Sequence, residues 1–374
     1  MFAKRNIVRY TNILSPYASF LEHFGVHIMR SKHRFFQSLS ACLLVMGASV
    51  TLSSPAAAKT LQLVTAEPQS GEAQASSMVW FADQLKARTK GALTIDVLWG
   101  GSGAGPSEIP DAVASGTAAM GDLITPYFPD RFLINDVIGY YLPQPKSPLE
   151  ISNAMREWND TYPPFRDEMA KNNLVTIGHI PLAPYGFLCQ KPLRKLSDFK
   201  GLRIRSYGFA YPALIEALGA VPVSLTTSDT YNALQRNVID CTPVNPALAH
   251  GWKYDEVAHY FVNFPLGASW GHLLVMNLKT FKALSEDDQK ILLELGKEFD
   301  VHYAKALEAS DAKVKAAWAA DHNVTYVDFK VTDAEINKLI QAPGIQAVRN
   351  RWTSGAKRRG LTNYQAILDS LAFH

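Results

Sequence analysis

Three short segments decide the fold of this chain: LSDFKGLRIR at Leu196–Arg205, ALGAVPV at Ala217–Val223 and SDTYNALQRNVID at Ser228–Asp240. Apolar runs that predict strands alternate here with longer segments that predict helices. Such alternation is typical of a largely parallel sheet covered by helices. The stretch therefore predicts a complete α/β unit, which ends at the Asn-Pro pair that begins with Asn245.

A second α/β unit is predicted on the N-terminal side. Strand patterns at residues 60–64, 93–98 and 119–124 alternate with an amphipathic helix over residues 73–89 and a shorter helix that ends at Ser115. A chain of 374 residues commonly forms two domains. We expect two α/β domains joined by crossing strands.

A long helix and the domain limits follow from the C-terminal third. Ser285 is followed by three acidic residues, a pattern typical of a helix N-terminus, and the helix could run to about Asp321. A helix of that length can span both domains. We assign residues 59–182 and 271–310 to domain I, and residues 183–270 and 311–374 to domain II.

Residues 1–58 have the features of a leader. A basic segment at Met29–Arg34 precedes an apolar run at Leu39–Leu52 and small residues that end at Ala58. This order is typical of a secretory signal peptide. The alternative, a permanent membrane anchor, needs a longer apolar run. Residues 1–28 fit no signal, so we hypothesise that translation starts at Met29.

Net charge argues against polyanionic partners. The chain has 37 basic and 34 acidic residues, of which the leader holds six basic residues and one acidic residue. The remaining 31 basic and 33 acidic residues give a net charge of −2. This balance does not suggest binding to nucleic acid or to a membrane surface.

Two cysteines remain outside the leader, Cys189 and Cys241. An oxidising compartment permits a disulfide between them. Lone, widely spaced cysteines are more often small buried side chains, so we predict that they are not bridged.

Motifs of catalysis are missing from the sequence. It contains no H-E-x-x-H, Walker, C-x-x-C or G-x-S-x-G pattern. The glycine-rich Gly101–Gly105 loop resembles a dinucleotide loop, but Pro106 occupies the third glycine position. We therefore predict a binding protein rather than an enzyme, with no cofactor and no metal ligands.

The stretch Leu196–Pro246 resembles the DctP-type solute-binding proteins of TRAP (tripartite ATP-independent periplasmic) transporters. That family has a D-x-K-G strand motif ending in arginine, then L-G-A, Y-x-A-L-Q, V-V-D and N-P, in this order and spacing. A looser resemblance covers most of residues 60–330. It implies an α/β, two-domain periplasmic binding protein fold with a long helix spanning both domains. It also implies a periplasmic receptor that binds a small organic acid between its domains and delivers the acid to a membrane permease.

The resemblance implies that Arg205 binds the ligand carboxylate. A guanidinium can hold a carboxylate by two charge-assisted hydrogen bonds. Because side chains alternate along a strand, Arg203 must lie on the opposite face. The alternative role for Arg205 is a salt bridge. Asn245 matches a ligand-contacting asparagine of the family, or it is only a turn residue before proline.

Three departures from the family pattern concern the ligand. Many sialic-acid and dicarboxylate receptors carry a second arginine where this chain has Tyr185. Thr227 stands where a cleft aromatic is common, and Cys241–Val244 replaces G-Q-E. The loss of one cation predicts a ligand with a single carboxylate.

Aromatic residues near the predicted site leave two interpretations open. Tyr207 is the first of three aromatics that follow Arg205, and Trp270 begins another predicted cleft segment. They either wall the apolar body of a ligand or pack in the core or hinge.

The same fold also serves sensor partners of signalling systems. A periplasmic enzyme on this scaffold would need convergent titratable groups in the cleft, which the sequence does not reveal.

Overall fold

The computed structural model describes residues 58–70, 72–143, 146–268 and 271–371. The predicted leader, apart from Ala58, and the predicted start at Met29 lie outside these residues. Within the described ranges, no helix is both long enough and apolar enough to cross a membrane.

Strands and helices alternate along most of the chain. The strands are β1 (Lys59–Val64), β2 (Leu93–Leu98), β3 (Met120–Leu123), β4 (Leu174–Ile180), β5 (Pro184–Cys189), β6 (Arg203–Ser206), β7 (Val221–Ser224), β8 (Cys241–Val244), β9 (Tyr260–Ala268), β10 (His272–Asn277) and β11 (Thr325–Val327). The helices are α1 (Glu72–Arg88), α2 (Ile109–Ser115), α3 (Pro148–Thr161), α4 (Pro163–Lys171), α5 (Ala210–Ala217), α6 (Thr227–Gln235), α7 (Pro246–Gly251), α8 (Leu278–Lys282), α9 (Glu286–Asp321), α10 (Asp333–Ile340), α11 (Pro343–Arg358) and α12 (Tyr364–Leu371).

The first sheet has the strand order β2-β1-β3-β10-β4. Strand β1 is parallel to β2 and β3, whereas β10 is antiparallel to β3 and β4. Helices α1 and α9 cover one face, where the rings of Phe81 and Phe299 meet edge to face with centroids 5.6 Å apart. The apolar side of the predicted 73–89 helix is therefore the side that packs on this sheet.

The second sheet has the order β11-β9-β5-β8-β6-β7. In its parallel part, β6 pairs with β7 and β8. These strands come from the Leu196–Pro246 stretch, for which the sequence predicted an α/β unit. The last predicted strand, over residues 238–241, instead begins at Cys241, because Asn237 has a positive φ of 55° and residues 238–240 complete a turn. Two mixed α/β sheets confirm the predicted fold class.

Cys189 and Cys241 form a disulfide, so the prediction of unbridged thiols was wrong. The two residues are register partners on the antiparallel strands β5 and β8, with Cα atoms 4.1 Å apart. Fifty-two positions separate them in sequence. Only the pairing of β5 with β8 brings them together.

The chain crosses between the two sheets at several points. Strand β4 leads into β5, β9 leads into β10, and α9 extends from the first core to the second. In α9, Phe299 packs with the first sheet and Trp318 packs against Phe261 of β9. Ser285 caps α9 by accepting a hydrogen bond from the Asp288 backbone, as the sequence predicted.

The domain limits stay a prediction, and the C-terminal helices contact both halves. Helix α11, which we assigned to domain II, buries Trp352 against Tyr141, and the Trp352 indole donates to the Leu133 carbonyl at 2.9 Å. The same helix also packs on α5 through Ile345. The first half of the molecule is the part built on the first sheet, and the second half is the part built on the second sheet.

Candidate functional site

Arg205 is a buried cation at the end of β6. Its residue is 3% exposed, and its Nε donates to the Leu225 carbonyl at 3.2 Å. Its Nη2 donates to the Tyr127 hydroxyl and to Thr227 Oγ1, each at 3.1 Å. Arg205 forms no ion pair with a carboxylate in the described part of the chain. The alternative salt-bridge role is therefore not what the structure shows.

Arg203 lies on the opposite face of the same strand, as alternation predicted. It is exposed, and its Nη2 pairs with Asp240 Oδ1 at 2.8 Å. Of the two arginines, only Arg205 points toward the space between the halves.

Tyr127, which sequence reasoning missed, links the two halves at this point. It follows β3 of the first half, and its hydroxyl accepts a hydrogen bond from the Thr227 backbone at 2.8 Å. Thr227 Oγ1 lies 2.8 Å from the same oxygen. No local pattern could indicate this contact, because the two residues are 100 positions apart.

Asn245 has a structural role in the turn before α7, and its contact with a ligand stays a prediction. It is the N-cap of α7, since its Oδ1 accepts the Leu248 backbone N–H at 2.8 Å. Its Nδ2 is buried and has no hydrogen-bond partner among the residues that the structure describes. A buried donor without a partner is unfavourable, so a ligand acceptor would stabilise this side chain.

Aromatic side chains surround the guanidinium of Arg205. The Tyr207 ring lies 4.6 Å from the Arg205 Cζ, a cation–π distance. Tyr185 is 4% exposed, and burial raises the pKa of its phenol well above the ordinary value. Trp270, also predicted at the site, lies outside the described residues.

The predicted residues line two adjoining compartments between the halves. One includes Arg205, Tyr185, Tyr207 and Thr227 in its wall. The other includes Asn245. The compartments share Glu67, Leu182 and Leu248. In this arrangement of the two halves, each has a cavity volume of about 20 Å³, which is room for about one water molecule.

A buried cluster of titratable groups, also missed by sequence reasoning, lies at the same place. Glu67, Asp122 and His272 each offer one atom within 4.8 Å of the others, close enough to share a metal ion. Asp122 is already fully engaged: Oδ1 is 2.7 Å from His272 Nδ1, and Oδ2 accepts hydrogen bonds from Gln74 and Thr65. We therefore interpret the cluster as a hydrogen-bonded network that orients His272. The three residues stand at separate strand ends, so no sequence motif marks them.

Burial controls the protonation of this cluster. Desolvation raises the pKa of Glu67 to about 7, although the nearby His272 opposes the shift. Burial lowers the pKa of His272, but the charge and hydrogen bond of Asp122 outweigh it, so the net shift is upward. The site therefore holds a carboxyl group that changes charge near neutral pH.

The raised pKa predicts that Glu67→Gln stabilises the ligand-free protein at high pH. Folded Glu67 keeps its proton up to about pH 7, whereas the unfolded side chain loses it near pH 4.3. The carboxyl therefore makes wild type progressively less stable between these values. We expect the variant to have a higher melting temperature by a few degrees at pH 8 and an unchanged one at pH 4.

Glu298→Gln is the matched control for this pH series. Glu298 is exposed on α9, and its hydrogen bond with Arg88 lowers its pKa. We expect Glu298→Gln to lower the melting temperature of the protein slightly at pH 8 or to leave it unchanged. The quantity to compare is the melting temperature of Glu67→Gln minus that of wild type. A difference that is no larger at pH 8 than at pH 4 would contradict the prediction.

The fold and the cleft define the class: a two-domain periplasmic binding protein fold with a buried arginine between its halves. A family model described as bacterial extracellular solute-binding protein, family 7 (DctP), matches residues 165–345. The matched segment belongs to the DctP family, which confirms the resemblance found in Leu196–Pro246.

Individual relatives agree with this assignment. A solute-binding protein of Sulfitobacter sp. is 30% identical over 165 residues, which cover 42% of this chain and 49% of that protein. The chain spans about half the length of the curated relatives it matches.

Solved structures share the fold over most of both chains. A TRAP periplasmic solute-binding protein of Bordetella bronchiseptica with bound (R)- and (S)-mandelate has a TM-score of 0.72 and 23% identity, covering 84% of this chain and 97% of that chain. An extracytoplasmic solute receptor of Bordetella pertussis that binds pyroglutamic acid has a TM-score of 0.67 and 20% identity, covering 84% and 99%. At these identities, the likeness establishes the architecture.

Proposed function

We propose that this protein is the periplasmic receptor of a TRAP-type importer and binds a small organic acid with one carboxylate. The observation that carries the proposal is Arg205, a buried cation in the cleft with no ion pair in the described chain. A buried charge is favourable only when it is paired, and a ligand carboxylate would supply the partner.

The cleft offers limited positive charge to a ligand. Arg205 is the only lysine or arginine among the described residues that line the two compartments. Glu67 contributes negative charge above pH 7. A second ligand carboxylate would therefore be poorly accommodated. This distribution supports a monocarboxylate.

Binding would act through closure of the cleft. The ligand carboxylate engages Arg205, Asn245 Nδ2 donates to an acceptor of the same ligand, and Tyr207 and Tyr185 cover its apolar part. Tyr127 from the first half already contacts Thr227 of the second, so a closed arrangement has its own cross-cleft hydrogen bonds. The ligand would add to these contacts and shift the open–closed equilibrium.

Delivery to a membrane permease is the part of the proposal that rests on the family. The relatives and structural neighbours are solute-binding proteins. Binding energy would therefore select a conformation for docking rather than stabilise a transition state.

A thermal-shift screen of organic acids tests the proposal. A ligand that binds only the folded protein raises the melting temperature by mass action, about 2.7 kcal/mol of stabilisation at 100 times Kd. We expect at least one monocarboxylic acid to give such a shift, with a smaller one for a dicarboxylate of similar size. Neutral sugars and simple cations are the controls. If only a control compound raises the melting temperature, the proposed function is wrong.

A further inference from the structure

Glu67 stands where the two compartments of the cleft join. It follows β1, is 2% exposed and lines both compartments. The Trp252 indole Nε1 donates to its Oε2 at 2.9 Å. Among the residues that the structure describes, none donates a hydrogen bond to Oε1. The carboxyl group therefore presents one oxygen without a partner in the cleft.

Several donors near Glu67 are directed at Asp122 instead. Gln74 and Thr65 donate to Asp122, and His272 Nδ1 lies 2.7 Å from Asp122 Oδ1. Leu182 and Leu248 complete the shared wall with apolar side chains. A group that enters the cleft with an O–H or N–H could donate to Oε1, and a hydrogen bond to a charged acceptor is stabilising.

We infer that Glu67 is a specificity-determining contact, and that the ligand is a small monocarboxylic acid that also carries a hydroxyl or an amide N–H. The inference rests on the proposed function, because it takes the contact between Arg205 and the ligand carboxylate as given. The carboxylate lies at Arg205 and the ligand donor lies at Glu67 Oε1. Both residues line the same compartment, so one ligand could contact both.

Two related classes of ligand should bind less tightly, one because of charge and one because it lacks a hydrogen-bond donor. A second carboxylate would approach Glu67 and Asp122, so dicarboxylates are disfavoured. An acid without any O–H or N–H would make no hydrogen bond with Oε1. A hydrogen bond to a charged group contributes about 1.5–3 kcal/mol, so such an acid should bind at least about tenfold more weakly.

The experiment compares matched acids on wild type and on Glu67→Gln by calorimetry at pH 8. Mandelate and phenylacetate differ by one hydroxyl, and pyroglutamate and cyclopentanecarboxylate differ by the lactam group. In wild type we expect the donor-bearing acid of at least one pair to bind at least about tenfold more tightly than its partner. In Glu67→Gln the single amide oxygen accepts from Trp252 and the NH₂ faces the cleft. The preference should therefore fall below about threefold.

Two controls and the contrary outcomes complete the design. The ligand-free melting temperature of Glu67→Gln shows whether the variant is folded, and Glu298→Gln on the outer surface should keep the wild-type preference. Three outcomes would each overturn the inference while leaving the proposed function intact. They are equal affinities within both pairs, an unchanged preference in Glu67→Gln, and tightest binding by an acid that has no O–H or N–H donor. Failure of every acid to bind overturns the proposed function, and this inference with it.

Discussion

Replacement of Arg205 with lysine should weaken binding of the identified acid by about 2–3 kcal/mol, which is roughly 30- to 150-fold in Kd. Lysine keeps the positive charge but loses the planar fork that matches a carboxylate. It also cannot hold the Leu225 carbonyl, the Tyr127 hydroxyl and a ligand at once, as the guanidinium can. Calorimetric titration of the acid into Arg205→Lys measures the loss.

The same strand provides the matched control. Arg203→Lys makes the identical chemical change two residues away on the exposed face, where the arginine pairs with Asp240. We expect unchanged affinity for that variant. If both variants bind alike, or if Arg205→Lys keeps wild-type affinity with a normal melting temperature, Arg205 does not contact the ligand.

Removal of the disulfide should have the largest effect on stability. In the chain-entropy description, a bridge across 52 positions stabilises by about 4 kcal/mol, and measured losses are commonly 2–5 kcal/mol. The bridge joins β5 to β8 in the middle of the second sheet, next to β6, which carries Arg205. We expect Cys189→Ala combined with Cys241→Ala to lower the melting temperature by about 4–12 °C.

Treatment with a reductant distinguishes the effect of breaking the disulfide from the effect of replacing the two cysteine side chains. Dithiothreitol should lower the melting temperature of wild type toward that of the double variant and leave the double variant unchanged. Mass spectrometry after thiol labelling reports whether the wild-type bridge is reduced. Complete reduction without any change in melting temperature would contradict the prediction.

Much of the fold could be predicted from sequence because its signals are local. Strand and helix periodicities identified both α/β halves, and Ser285 marked the beginning of α9. The disulfide was missed because it depends on the pairing of β5 with β8, which no local pattern encodes. The last strand of the motif was misplaced because the turn with a positive φ at Asn237 delays its start.

The site was predictable on one side of the cleft only. Arg205, Thr227 and Asn245 lie in a segment with a family pattern, and the structure places all three at the two adjoining compartments. The first half contributes Tyr127 and Glu67 from the segments that follow β3 and β1, where the sequence shows only ordinary loop residues. Their importance arises from the approach of two separately built sheets, which is a tertiary property.

Helix α9 has a mechanical consequence for the receptor. At 1.5 Å per residue, its 36 residues form a rod about 54 Å long. Phe299 anchors it in one core and Trp318 in the other, and a continuously hydrogen-bonded helix resists stretching. The halves therefore cannot separate along the rod, and we expect opening to be a rotation about it with essentially one degree of freedom. A small rotation about the helix would give a larger displacement at the rim of the cleft that lies farthest from it.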